Sequence, residues 1–189
     1  MMMKKNNREK QLASRTRRYG LTRPEVCLLI AFVLVVSKLA LAQPGTRCAT
    51  EPHRQLDFWI GEWNVFNAQQ EQVARSQIES IISGCGLSEK YQADSGYSGT
   101  SLNQFDEDGN QWQQFWLDSN GESIHFNGHF NDNTMTFDAY GFEDQRGSYI
   151  RRMRLISISA DEVQQESDRS YDQGNTWCSE YRLTYRRRQ

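Results

Sequence analysis

Leu56-Asp57-Phe58-Trp59-Ile60-Gly61-Glu62-Trp63-Asn64-Val65-Phe66 is the stretch on which the fold turns. It gathers aromatic and branched side chains around one glycine and reads as a strand over 57–67. Outward from it, similar short runs follow at 72–82, 87–93, 99–105, 110–118, 122–130, 134–141, 148–158, 162–169 and 176–186. Turn residues divide them, among them Asp106-Glu107-Asp108-Gly109, Ser119-Asn120-Gly121, Asn131-Asp132-Asn133 and Ser159-Ala160-Asp161. Gln72–Ser83 fits a short amphipathic helix about as well as a strand, and no window after Val36 sustains a helical period. About ten short strands joined by tight turns predict an all-β chain. Closing an up-and-down meander removes its exposed edges, so a single antiparallel barrel is the expected fold.

Ahead of the strands, residues 4–23 are basic, Val26–Val36 is an apolar run without a charge, and Ala40-Leu41-Ala42 is a small-x-small site. These are the parts of a secretory signal peptide, which predicts an exported protein, periplasmic or extracellular. Eleven apolar residues fall short of the roughly 20 a membrane span needs. With Lys38 snorkelling, residues 26–41 would instead form an uncleaved anchor. The organisation read here is a signal segment at 1–42, a lead-in segment at 43–55 and a barrel domain at 56–189.

The leader carries nine of the 22 Lys and Arg but two of the 24 Asp and Glu, so residues 43–189 have a formal charge of −9. That balance argues against nucleic acid and anionic lipid as partners. Cys48, Cys85 and Cys178 remain beyond the leader, in an oxidising compartment where three single bridges are open to them. Cys48–Cys85 is the first choice, tying the lead-in to the turn Ser83-Gly84-Cys85-Gly86, and Cys178 is then read as a buried thiol in a strand. No C-x-x-C spacing points to zinc or redox chemistry.

Alternation groups side chains by face without saying which face is inside. Trp112, Gln114 and Trp116 share one side of their strand. Ile150, Arg152 and Arg154 oppose Arg151, Met153 and Leu155. Glu89, Asn103, Trp112, Gln114, Trp116 and Arg152 are candidates for a polar, aromatic lumen that binds a small, partly apolar ligand. Trp112 and Trp116 would stack on it; Asn103, Gln114 and Arg152 would orient its polar end. The alternatives are an enzyme using Glu89 or Glu166 with Arg152 for acid–base work, and a ligand-free structural or interaction module.

The pattern D-F-W-x-G-x-W-x-V at Asp57–Val65, with Gly84-Cys85-Gly86-Leu87, Gly99-Thr100-Ser101-Leu102-Asn103 and Trp112–Asp118 after it, resembles a large group of secreted bacterial proteins built on a domain of unknown function. The resemblance covers residues 53–187 and implies a calycin-like, lipocalin-like barrel. Gly61-Glu62-Trp63 is also similar to the G-x-W signature of lipocalins and nitrobindin, in which the Trp closes one barrel end beneath a basic residue of the last strand. The resemblance gives that part to Arg182 or Arg186, and it carries no activity to transfer.

Ser170-x-Asp172-x-Gly174-x-Thr176-Trp177 matches the Asp-box, a structural hairpin in which the aspartate accepts backbone donors across the turn. No cofactor is predicted. The alternative is haem with His129 as axial ligand, set against an outward reading of both His125 and His129.

Overall fold

The structure, a computed structural model, describes residues 47–189, so the predicted leader and its anchor alternative lie outside the described residues. Ten strands form close to their expected places: β1 Gly61–Phe66, β2 Gln72–Ile81, β3 Gly86–Ala93, β4 Ser98–Asp106, β5 Gln111–Asp118, β6 Ser123–Asn131, β7 Thr134–Asp144, β8 Gly147–Ser159, β9 Glu162–Ser170 and β10 Cys178–Arg187. Each pairs antiparallel with its sequence neighbours, and β1 pairs with β10 to shut the ring. Across that seam Trp63 stands opposite Arg187 and Val65 opposite Tyr185.

The opening motif is not one continuous strand. Asp57–Trp59 forms a 3-10 turn after a one-turn helix, α1, Glu51–Arg54. The reason is burial. An extended chain would send alternate side chains to opposite faces, whereas the turn directs both Leu56 and Trp59 into one barrel mouth, where both are fully buried. Trp63 then donates its indole N–H to the Trp59 carbonyl at 2.9 Å.

Residues 48–55 of the lead-in plug that mouth. Cys48 and Cys85 form the expected disulfide, with Cα atoms 4.9 Å apart. The Trp112 indole N–H donates to Gln55 Oε1 at 3.2 Å, and His53 packs edge-on against Phe105 with ring centroids 5.3 Å apart. Cys178 departs from expectation: it is free and exposed at the start of β10. Behind the plug the barrel is solid, filled by Ile78, Met135, Phe137, Leu155 and Val163.

The basic residue over Trp63 is neither Arg182 nor Arg186. It is Arg187, whose guanidinium carbon lies 4.2 Å from the ring centroid. Strand phase explains the correction. Tyr185 is buried in the interior, and Tyr181 and Leu183 line it, so the odd positions of β10 point inward. Arg182 and Arg186 therefore point outward, where they pair with Glu166 at 3.3 Å and Glu162 at 3.3 Å. Arg187 also donates to the carbonyls of Ile60 and Ala160, each at 2.9 Å. Gly61 makes room for it: its φ is +142°, and a Cβ there would run into the guanidinium.

This contact should behave as one unit. Gly61→Ala is expected to cost roughly 2–4 kcal/mol, from backbone strain and displacement of Arg187. Arg187→Ala should cost roughly 1–2 kcal/mol. In a double-mutant cycle read by denaturant unfolding, the double variant should lose less than the two singles added together. Simple additivity would show that glycine and arginine act separately.

Candidate functional site

The other half of the barrel is open. The turns after β1, β3, β5, β7 and β9 surround the unplugged mouth, and a cavity of about 400 Å³ runs inward from it. Its walls come mainly from the inward faces of β3, β5, β6, β8, β9 and β10. That volume falls within the ordinary range of small-molecule pockets.

One wall is aromatic. Tyr91 meets Trp116 edge-on at a centroid distance of 6.3 Å and Tyr97 at 6.2 Å. Trp116 takes up this position because β4 offers no side chain beneath it: a Cβ on Gly99 would strike its ring. Phe126, Met153 and Leu183 continue the apolar lining.

The deep end is polar. Glu89, 4 % exposed, accepts from Ser76 Oγ at 2.7 Å and from Ser101 Oγ at 3.3 Å. Asn103 donates to Ser101 Oγ at 2.9 Å, and Gln114 donates to Asn103 Oδ1 at 2.7 Å. One hydrogen-bonded chain thus crosses β2, β3, β4 and β5 on the inner face. Beside it the Tyr185 hydroxyl donates to Gln165 Oε1 at 2.7 Å. Among the described residues Glu89 has no ion-pair partner. Burial pushes its carboxyl from the ordinary 4.5 up to about 7, outweighing the Ser76, Ser101 and Tyr185 hydroxyls, which pull it down. Burial, and next the charge of Glu89, also raises the Tyr91 phenol to about 12.

The remaining charges are better served. Asp118 accepts from the Tyr97 hydroxyl at 2.9 Å and from the backbone N–H groups of Asn120 and Glu122. Desolvation works against it, yet those bonds hold its carboxyl below the usual range. Glu180 accepts from Arg151 at 2.8 Å and Ser167 at 2.8 Å, and from Arg169 as well. Burial raises its carboxyl, but Arg169, Ser167 and Arg151 together bring it lower than usual.

Of the six lumen candidates, Glu89, Gln114 and Trp116 line the cavity. Asn103 is buried in the polar chain behind them, and Trp112 belongs to the plugged end. Arg152 lies on the outer face instead. It grips Asp138 through two hydrogen bonds of 2.7 and 2.8 Å and stacks at 4.1 Å on Trp177. The lining arginine is its neighbour Arg151, because Met153 and Leu155 on the same face supply the buried side of β8. Glu166 and Asp168 pair with Arg154 and Arg182 outside as well. Tyr91, Tyr97, Gln165, Glu180 and Tyr185 escaped the sequence reading; the alternation of Tyr181, Leu183 and Tyr185 was the available signal for the last of these.

The Asp-box adopts its expected form. Asp172 accepts from Ser170 Oγ, Thr176 N and Thr176 Oγ1 at 2.7–2.8 Å, while Trp177 donates to the Gly174 carbonyl at 3.1 Å. The Thr176 hydroxyl and N–H, followed by Ser170, draw the Asp172 carboxyl down to about 2. His125 and His129 are both exposed on the outer face, so His129 does not point into the lumen. Among the described residues no three His, Cys, Asp or Glu side chains gather so as to hold an ion. No protein-family model and no curated protein matches this chain.

Glu89 makes stability fall with pH. Between about 4.5 and 7 the unfolded chain releases this proton while the folded barrel retains it, so ionisation penalises the fold, fully above 7. The total penalty is about 3 kcal/mol. Thermal unfolding of the wild type should therefore show a declining midpoint from pH 5.5 to 8. Glu89→Gln should flatten that decline and melt higher than the wild type at pH 8. Parallel curves for the two proteins would show that Glu89 ionises normally.

Proposed function

We propose that this protein is an exported, calycin-like barrel that holds a small, partly apolar molecule non-covalently in its open half. The observation that carries the reading is the cavity of about 400 Å³, open at one mouth, with an aromatic wall and a buried polar floor. Apolar enclosure with a few convergent hydrogen-bonding groups is what small-ligand recognition requires. Trp116 would stack on the ligand, and Gln114, Gln165 and Glu89 would orient its polar end.

Export is supported by the Cys48–Cys85 disulfide together with the basic, apolar and small-residue order of the leader. The resemblance at Asp57–Val65 to secreted barrels agrees with both parts of the proposal. Acid–base catalysis by Glu89 or Glu166 with Arg152 fits the geometry less well: Glu89 lines the cavity, but Glu166 and Arg152 do not join it there. Both face outward, and Arg152 is already committed to Asp138.

Titration with Nile red tests the reading. The dye should bind saturably at one site per chain with a blue shift. Trp116→Ala should weaken it about tenfold, the loss of roughly 1–1.5 kcal/mol of aromatic contact. Native mass spectrometry of protein purified from its own host should also reveal a co-purifying small molecule. Absence of saturable binding, or a Trp116→Ala variant that binds the dye as well as the wild type, would refute the lumen as a ligand site.

A further inference from the structure

We infer that the ligand is an organic amine, its ammonium group directed at Glu89 and its apolar or aromatic body lying along Trp116, Tyr91 and Phe126. This rests on the reading of the open half as a ligand site and names what that site selects. The first observation is a carboxylate buried without a counter-charge. Glu89 is 4 % exposed and lines the cavity, yet the groups that act on its carboxyl there are the neutral hydroxyls of Ser76, Ser101 and Tyr185. An isolated buried carboxylate is expensive, and a protonated amine arriving through the mouth supplies the missing charge and N–H donors.

The second observation is the sign of the other charges in the cavity. Asp118, Glu122 and Glu180 line it with Glu89, against the single cation Arg151. Arg151 is in turn engaged by Glu180 at 2.8 Å. An anionic ligand would meet this array unfavourably, and a neutral one would leave Glu89 without a counter-ion. The third observation is the wall. Tyr91, Tyr97 and Trp116 are set edge to face around the approach to Glu89, and aromatic faces attract an ammonium group as it sheds water.

Proton linkage follows from the same geometry. Within the cavity Glu89 alone changes charge between pH 5 and 8 among the groups with displaced values: burial keeps Tyr91, Tyr97, Tyr181 and Tyr185 protonated, and hydrogen bonds keep Asp118 and Glu180 ionised. The amine is charged throughout this range, as a lysine is. Binding at low pH must therefore expel a proton from Glu89. Its affinity should drop about 100-fold from pH 8 to pH 5, given a carboxyl that titrates at about 7.

Isothermal titration with naphthylmethylamine, naphthylmethanol and naphthoate, which share a ring and differ in head group, provides the test. At pH 8 the amine should bind at least tenfold tighter than the alcohol, and the carboxylate most weakly. At low pH the amine should release one proton, read from the dependence of the heat on buffer ionisation. Glu89→Gln should abolish both the preference for amine over alcohol and the pH dependence. An alcohol that binds as tightly as the amine, or an amine affinity that is flat with pH, would overturn the inference and leave the pocket standing. Failure of Nile red to bind saturably would overturn the pocket itself, and this inference with it.

Discussion

Closure of the ring by β1 and β10 is the constraint on which the rest of the molecule depends, and Arg187 above Trp63 marks its register. A cation–π contact is worth only about 1–2 kcal/mol. Its position matters more than its size. The same guanidinium bonds the carbonyls of Ile60 and Ala160, so it joins the start of β1, the end of β10 and the turn before β9. A slip of one residue along this seam would turn Tyr181, Leu183 and Tyr185 out of the lumen and bring Arg182 and Arg186 in. One wall of the cavity exists because that register holds.

The interior is divided along the barrel axis. Near the plug, Trp59 and Trp63 each meet Tyr185 edge-on, and apolar side chains leave no room for a guest. Toward the open mouth the inward positions of β3, β4 and β5 change from Leu87 to Glu89 and from Trp112 to Gln114, with Ser101 and Asn103 between. Glu89 stands at the boundary between the two halves. A purely structural core would place a leucine or glutamine there at lower cost. The burial of Glu89 without a counter-charge is the feature from which the amine-binding proposal starts.

Much of the fold was legible because turn chemistry spaces the strands so evenly. Asp106–Gly109, Ser119–Gly121 and Asn131–Asn133 announce their hairpins, and the strand limits fall near them. The disulfide was legible from the position of Cys48 before the strands and Cys85 in a turn. The site was legible only in part, for a reason of phase. Alternation assigns Arg152 and Arg151 to opposite faces of β8, and nothing local says which face is the lumen; Met153 and Leu155 decide it once the ring is closed. The opening 57–60 misled for a related reason. Phe58, Trp59 and Ile60 have strand propensity, but the mouth they cover rewards a turn that buries Leu56 and Trp59 together.

The seam has a kinetic side. Nine of the ten strand pairings join neighbours along the chain and form as local hairpins with little loop entropy to overcome. The tenth unites the two ends of the strand series. Until it zips, the nascent sheet carries two bare borders with unpaired amides and carbonyls, the surface through which β chains aggregate. Pairing β1 with β10 therefore also removes the borders through which the protein could join its own copies.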